Sequence, residues 1–223
     1  MSTADTFRLV LAPPHPAGRP FIVGGIAAFV LGLLVGHGLA WIALFFILFC
    51  LFFFRDPERV PPGRLGAVVA PADGKVVSVA PAVAPAELGL GPIARWRVGI
   101  FLSVVDVHVN RVPADGTITR IAYRHGRFVN ASLDKASEGN ERNAIALRLP
   151  DGREMAVVQI AGLIARRILC ELREGDAVRA GARLGMIRFG SRTDLYLPEG
   201  VRPLVAEGQT MVGGETVIAE LGA

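Results

Sequence analysis

Residues 21–54 read FIVGGIAAFVLGLLVGHGLAWIALFFILFCLFFF and contain no Asp, Glu, Lys or Arg. No other feature restricts the fold of this chain so strongly. A run of 34 such residues belongs in a bilayer, not on the surface of a water-soluble domain. As one helix it would be about 51 Å long, against a hydrocarbon core of about 30 Å. Gly36-His37-Gly38 breaks it near the middle. Each half then has roughly 16 residues and a length of about 24 Å. The expectation is a helical hairpin, either two short spans or a wedge in one leaflet. The run ends in Phe52-Phe53-Phe54-Arg55-Asp56-Pro57, which lacks the small-residue cleavage site of a secretory signal. Arg8 and Arg19 precede it, and Arg55, Arg59 and Arg64 follow it. Basic residues at both ends place both ends in the cytoplasm. His37 reads as a polar turn residue.

The order expected along the chain is an N-terminal arm over 1–19, the hairpin over 20–55, a stiff Pro-rich linker over 56–64, and a β domain over 65–223. After the linker, short β-rich runs alternate with turn residues. Strands are expected at Lys75–Val79, Arg95–Leu102, Val107–Val112, Thr117–Tyr123, Ala144–Leu149, Glu154–Ile160, Ile164–Leu172 and Leu184–Phe189. Asp-Gly pairs at 73–74, 115–116 and 151–152 and the Gly175-Asp176 pair supply turns. The fold class is mainly β, a sandwich or partly closed barrel, with the hydrophobic hairpin in front. Residues 174–185 have the form G-D-x-V-x-x-G-x-x-L-G, which resembles the tight bend of lipoyl-like β modules.

Several kinds of chemistry drop out. The net charge is +4, but the charges are mixed, with no block of like sign, so nucleic acid is not an expected partner. A modest basic excess beside an apolar segment suits an anionic lipid surface. Cys50 and Cys170 form no CxxC motif, and no HExxH or HxH pattern occurs, so no metal site is expected. Nothing suggests a disulfide scaffold, which fits a reducing compartment. No G-x-S-x-G elbow and no phosphate-binding Gly-rich loop is present.

Three residues could still carry chemistry together. Gly190-Ser191 by itself marks a turn. A serine after glycine can also attack the carbonyl before it and cut the chain. His108 lies in a strand-like run, where Asp106 and Asn110 share its face. A lone histidine is usually structural, but Asp106 could orient the ring or raise its pKa. Asp73, before Gly74, is by default a turn former. If Asp73, His108 and Ser191 converge, they have the logic of a triad: carboxylate orients imidazole, and imidazole takes the hydroxyl proton.

The chain resembles the phosphatidylserine decarboxylase proenzymes of the short bacterial type. The matching pieces are Pro71-Ala72-Asp73-Gly74-Lys75-Val76, Phe101-Leu102-Ser103 running to Asp106 and His108, Asn140-Glu141-Arg142-Asn143, and Phe189-Gly190-Ser191. They occur in the family's order over roughly residues 50–200. The resemblance implies self-cleavage at Gly190–Ser191, into a large β subunit (1–190) and a small α subunit (191–223). Ser191 would become a covalent pyruvoyl group, which forms a Schiff base with the substrate and acts as the electron sink that PLP provides elsewhere. The substrate would be phosphatidylserine, decarboxylated to phosphatidylethanolamine, with His108 assisting proton transfer. The site would then lie on the cytoplasmic side of the inner cell membrane. A homo-oligomer is left open.

Many relatives carry D-x-H-x-x-H, and here Arg111 stands at the second histidine position. Arginine stays protonated and cannot be a general base. His108 would act alone or with His125, and Arg111 would instead bind substrate carboxylate or phosphate. Two other readings remain. One is the same chemistry on another serine-headed lipid, such as archaetidylserine. The other is a membrane-anchored lipoyl-like adaptor without catalysis.

Overall fold

The computed structural model describes residues 12–126, 139–162, 167–188 and 190–222. The described residues through Glu58 form one compact unit, and those from Arg59 onward form a second.

The first unit is a helix pair, α1 (Arg19–Val35) and α2 (His37–Phe53), joined at Gly36. They run antiparallel. Gly32 packs against the backbone of Ala40, Gly25 against Ile47 and Phe46, and Phe21 stacks on Phe54 with ring centroids 5.4 Å apart. A Cβ on Gly32 would come within 2.5 Å of Ala40 N, so this close approach requires glycine. Small residues at a helix crossing are the usual means of close packing in lipid. The outward faces are apolar: Trp41, Phe45, Ile42 and Leu34 are all about 70% exposed or more (71%, 73%, 69% and 82%). Helices apolar all round belong in a bilayer. The helical stretch Pro16–Val35 is long and apolar enough to cross one, and His37–Phe53 is shorter.

The second unit is mainly β. Its strands are β1 (Ala67–Val69), β2 (Gly74–Val83), β3 (Ala94–Leu102), β4 (Val109–Arg111), β5 (Gly116–Arg124), β6 (Arg142–Arg148), β7 (Glu154–Ala161), β8 (Ile168–Cys170), β9 (Ala177–Val178), β10 (Arg183–Ile187), β11 (Ser191–Tyr196), β12 (Thr210–Met211) and β13 (Val217–Glu220). Eight of them form a curled sheet in the order β12-β2-β3-β11-β7-β6-β5-β9. A three-stranded sheet, β4-β10-β8, and a two-stranded pair, β1-β13, complete the unit. The pairings are antiparallel.

Alternation sorts the large sheet into two faces. Val98, Ile100, Leu195, Val157 and Ile145 point into the main core, where Val112, just after β4, and Leu184 of β10 meet them. Tyr196, Val158, Ala156, Ala144 and Ala146 face the other way, under Ala84, Leu88 and Leu90. The expected strands at 95–102, 117–123 and 154–160 lie within β3, β5 and β7. Two expected strands are shorter, because Val107 and His108 precede β4 and described pairing in β8 begins at Ile168. Residues 164–166 and Phe189 lie outside the described residues. Pro81–Val83 close β2, and a 3-10 turn follows at Ala86–Leu88. The largest difference is β11: the segment read as a turn dipeptide begins a central strand.

Candidate active site

The register of the large sheet gathers the sequence motifs at one rim. Ser191 opens β11 opposite Leu102, which ends β3, and opposite Ala161, which ends β7. Arg142 opens β6 beside Ile160, and Arg124 ends β5 beside Arg142. Lys75 pairs with Phe101, so Asp73 stands at the same rim, just before β2. Four motifs scattered over more than a hundred residues thus meet because antiparallel strands bring alternate ends together.

Ser191 is 0% exposed, and its Oγ has no hydrogen-bond partner among the described residues. Such an atom in a native structure needs a reason, and a reacting group is one. Gly190 has φ +59°, the left-handed region that an L side chain rarely adopts, and a Cβ there would meet nothing within 4 Å. Gly190 therefore stands on a turned backbone with open space where a side chain would be.

His108 is also 0% exposed. Its Nδ1 lies 2.9 Å from the carbonyl oxygen of Asp106. A carbonyl can only accept, so Nδ1 carries the proton, and in the neutral ring Nε2 holds the lone pair of a base. The orienting group is thus the Asp106 backbone. The Asp106 carboxylate instead accepts from Ser103 N and Ser103 Oγ, both at 2.7 Å.

Asp73 is held from two sides. Arg59 donates to both of its oxygens at 2.9 and 2.7 Å, and Gly213 N–H donates at 2.7 Å. Burial pushes the Asp73 carboxyl above the ordinary range; Arg59 and the Gly213 N–H pull it back, and nearby Asp106 adds a further upward push. Arg111 is buried, with one guanidinium nitrogen 3.3 Å from Gly181 O, and its backbone N–H bonds Pro71 O in the Asp73 loop. His125 is exposed, its ring edge-on to Tyr123 at 5.0 Å.

Each residue of the motif at 140–143 has its own partner. Asn140 Nδ2 donates to Ala161 O at 2.8 Å, opposite Ser191. Glu141 takes a short hydrogen bond from Tyr123 Oη, and burial together with this carboxylate pushes the phenol up to about 12. Arg142 pairs with Glu87 at the outer end, with Nε 2.9 Å from the carboxylate. Asn143 bonds Gln159.

Sequence reasoning did not single out Arg59, Gln159, Arg188 or Arg192. Arg188 N lies 3.3 Å from Arg167 O, and burial, with Arg167 nearby, lowers the Arg188 pKa. Arg192 and Asp194 form a wholly buried ion pair directly after Ser191. Nothing in the linear pattern distinguishes these from surface charges. Among the described residues no cluster of His, Cys, Asp or Glu is placed to hold a metal ion. A groove of about 780 Å³ lined by Arg64, Ala114, Arg179 and Leu221 holds none of the candidate residues.

Comparison with known proteins points to the same chemistry. The family model described as Phosphatidylserine decarboxylase matches residues 46–219. A phosphatidylserine decarboxylase proenzyme of Granulibacter bethesdensis is 72% identical over 99% of this chain and 91% of its own length. That of Gluconacetobacter diazotrophicus is 62% identical over 99% of this chain and all of its own length. That of Cereibacter sphaeroides is 55% identical over 97% and 94%. Such similarity over nearly the whole chain leaves no place for a non-catalytic adaptor, and the chain belongs to the phosphatidylserine decarboxylase family of carboxy-lyases.

Proposed function

We propose that the chain cuts itself between Gly190 and Ser191 and then decarboxylates phosphatidylserine to phosphatidylethanolamine. The observation that carries this reading is the Ser191 hydroxyl, buried and without a hydrogen-bond partner among the described residues, at the rim where Asp73 also stands, with the His108 carbonyl bonded to Ile187 N just upstream.

The residues present fit a pyruvoyl group made from Ser191. The Ser191 hydroxyl has no hydrogen-bond partner among the described residues, Gly190 has open space where a side chain would be, and β11 is held on both edges by β3 and β7. The group, once formed, supplies a ketone that condenses with the serine amine of the lipid and accepts the electron pair left by carbon dioxide. The ladders on both sides keep residue 191 in place after the chain is cut into 1–190 and 191–223. His108, oriented through Nδ1, offers Nε2 as the base that takes the hydroxyl proton and later moves protons on the substrate. Asp73 contributes negative charge to the same rim, its carboxylate fixed by Arg59. His125 is exposed and would be available to the lipid head group, while Arg111 braces the Asp73 loop. The apolar helix pair keeps the enzyme at its lipid substrate, with both hairpin ends and the β unit on the cytoplasmic face of the inner membrane.

The test is intact-mass analysis of the purified protein. The wild type should give two chains that divide at 190/191, the smaller starting with a blocked residue. Ser191→Ala should give one uncut, inactive chain. A Ser191→Ala protein that is still cut and active would sink this mechanism.

A further inference from the structure

One rung inside Ser191, the inner face of the large sheet turns polar. Thr193, Gln159 and Asn143 stand side by side in one register, all at 0–1% exposure. Their amides form a directed chain. Asn143 Nδ2 donates to Gln159 Oε1 at 3.0 Å, and Gln159 Nε2 donates to Asn110 Oδ1 at 2.8 Å. The chain thereby crosses from the large sheet to β4 in the small one. It stops at Asn110 Nδ2, which is buried with no hydrogen-bond partner among the described residues; the same holds for Thr193 Oγ1 and Ser191 Oγ.

A buried amide donor left unmade costs more than making one bond returns. Two further amides are nevertheless spent on fixing this one in place. A donor held rigid with nothing to donate to in the resting protein is what a site needs where charge develops only during reaction. Its position agrees. Asn110 is hydrogen-bonded to Gln159 of the Thr193–Gln159 rung, and the carbonyl of His108, two residues earlier, accepts from Ile187 N, just upstream of the proposed cleavage pair. The Ser191 carbonyl falls within the β11 ladder, whereas Gly190 stands outside it on a turned backbone.

We propose that Asn110, its amide pinned by Gln159 and Asn143, donates from Nδ2 to the carbonyl oxygen of Gly190 as Ser191 Oγ adds to that carbonyl. In this step the Ser191 Oγ–C bond forms and the hydroxyl proton goes to the base. Negative charge collects on the Gly190 oxygen. The Gly190–Ser191 C–N bond then breaks and the proton passes to the Ser191 nitrogen, leaving an ester and a free amine. Gln159 and Asn143 act through Asn110 and are positioning residues. The proposal rests on self-cleavage at Gly190–Ser191 as read above.

The experiment follows proenzyme conversion by gel and intact mass, with and without hydroxylamine, which cleaves esters and spares amides. Asn110→Asp keeps the size and removes the donor. It should slow conversion about 10²–10³-fold, the cost of losing one oxyanion donor. Because the block precedes the ester, hydroxylamine should release no small chain from it. Gln159→Met leaves Asn110 present but frees its amide, and should slow conversion by a smaller factor, again without trapped ester. This variant carries the test if Asn110→Asp does not fold, as judged by its thermal unfolding. Conversion of Asn110→Asp at the wild-type rate would overturn the inference while leaving self-cleavage intact. So would a slow variant that accumulates hydroxylamine-sensitive ester, since Asn110 would then act in a later step. A wild type that is never cut at 190/191 would remove the underlying reading instead.

Discussion

Arg192 Nε lies 2.5 Å from Asp194 Oδ1, and both side chains are 0% exposed. The pair sits on the outer face of β11, beginning one residue after Ser191. Arg192 also reaches Ser78 Oγ at 3.0 Å. The pair therefore ties the first residues of the expected small chain to β2 as well as to the β3 and β7 ladders.

Removing one member of a buried pair leaves the other charge uncompensated. Asp194→Asn should cost about 3–5 kcal/mol of stability. The double replacement Arg192→Met with Asp194→Leu removes both charges of the pair, leaves Arg97, 4.0 Å from Asp194, beside the site, and should cost less. Denaturant unfolding of uncut Ser191→Ala backgrounds measures both. A single variant as stable as its parent would contradict the role assigned to the pair.

Gly99 makes room for the same guanidinium. A Cβ there would lie 2.7 Å from Arg192 Nη2 and 2.7 Å from Ser78 Oγ, inside contact distance. Gly99→Ala should destabilise by about 1–3 kcal/mol through overpacking, and slow self-cleavage by displacing the start of β11. Thermal unfolding and conversion rate report the two effects separately.

Arg59 should set the pH dependence of the rim. Burial raises the Asp73 pKa, Arg59 opposes the rise, and Asp106 adds to it. Arg59→Ala removes the opposing charge, so Asp73 should ionise at still higher pH. The acid limb of the conversion–pH profile then moves up, and Arg59→Lys moves it less. The linkage has a definite sign. With the folded pKa above the unfolded one, the Asp73 contribution to stability is full below the ordinary carboxylate range. It is lost as pH rises through the folded value, and later so in Arg59→Ala. An unmoved acid limb in Arg59→Ala would argue against this role for Asp73.

The chain has two tyrosines, Tyr123 and Tyr196. Burial and Glu141 push Tyr123 up to about 12, and burial with Asp194 raises Tyr196. An ultraviolet titration should therefore show no tyrosinate step near the ordinary value of about 10. The stabilisation from the Tyr123–Glu141 bond should be full below that value and lost as pH passes about 12. Glu141→Gln should return the Tyr123 step toward 10.

The fold was legible where strands are built from apolar and β-branched residues between turn signals. In β3, β5 and β7 the sequence pattern shows the strands nearly to their ends. It hides β11, because Ser-Arg-Thr-Asp reads as a polar turn. Those residues form a central strand only because Arg192 and Asp194 neutralise each other on one face while Thr193 joins a polar rung on the other. Asp73, His108 and Ser191 stood out through their motifs and their likeness to a family. Asn110, Gln159 and Arg59 did not, since an amide or an arginine carries no local pattern until a partner is placed beside it.

The sequence by itself determined the apolar helix pair and the β class, and it put forward Gly190-Ser191 as the proposed cleavage pair. Each rests on local or compositional physics: an uncharged run too long for one span, turn residues at short intervals, a serine behind an unhindered glycine. Only the tertiary structure decided which atoms surround Ser191. Strand register, set by core packing across residues far apart in the chain, brings β2, β3, β6 and β7 to one rim. The fold also assigns the His108 proton to Nδ1 through the Asp106 carbonyl, gives Asp73 to Arg59, and leaves the Ser191 hydroxyl buried with no hydrogen-bond partner among the described residues.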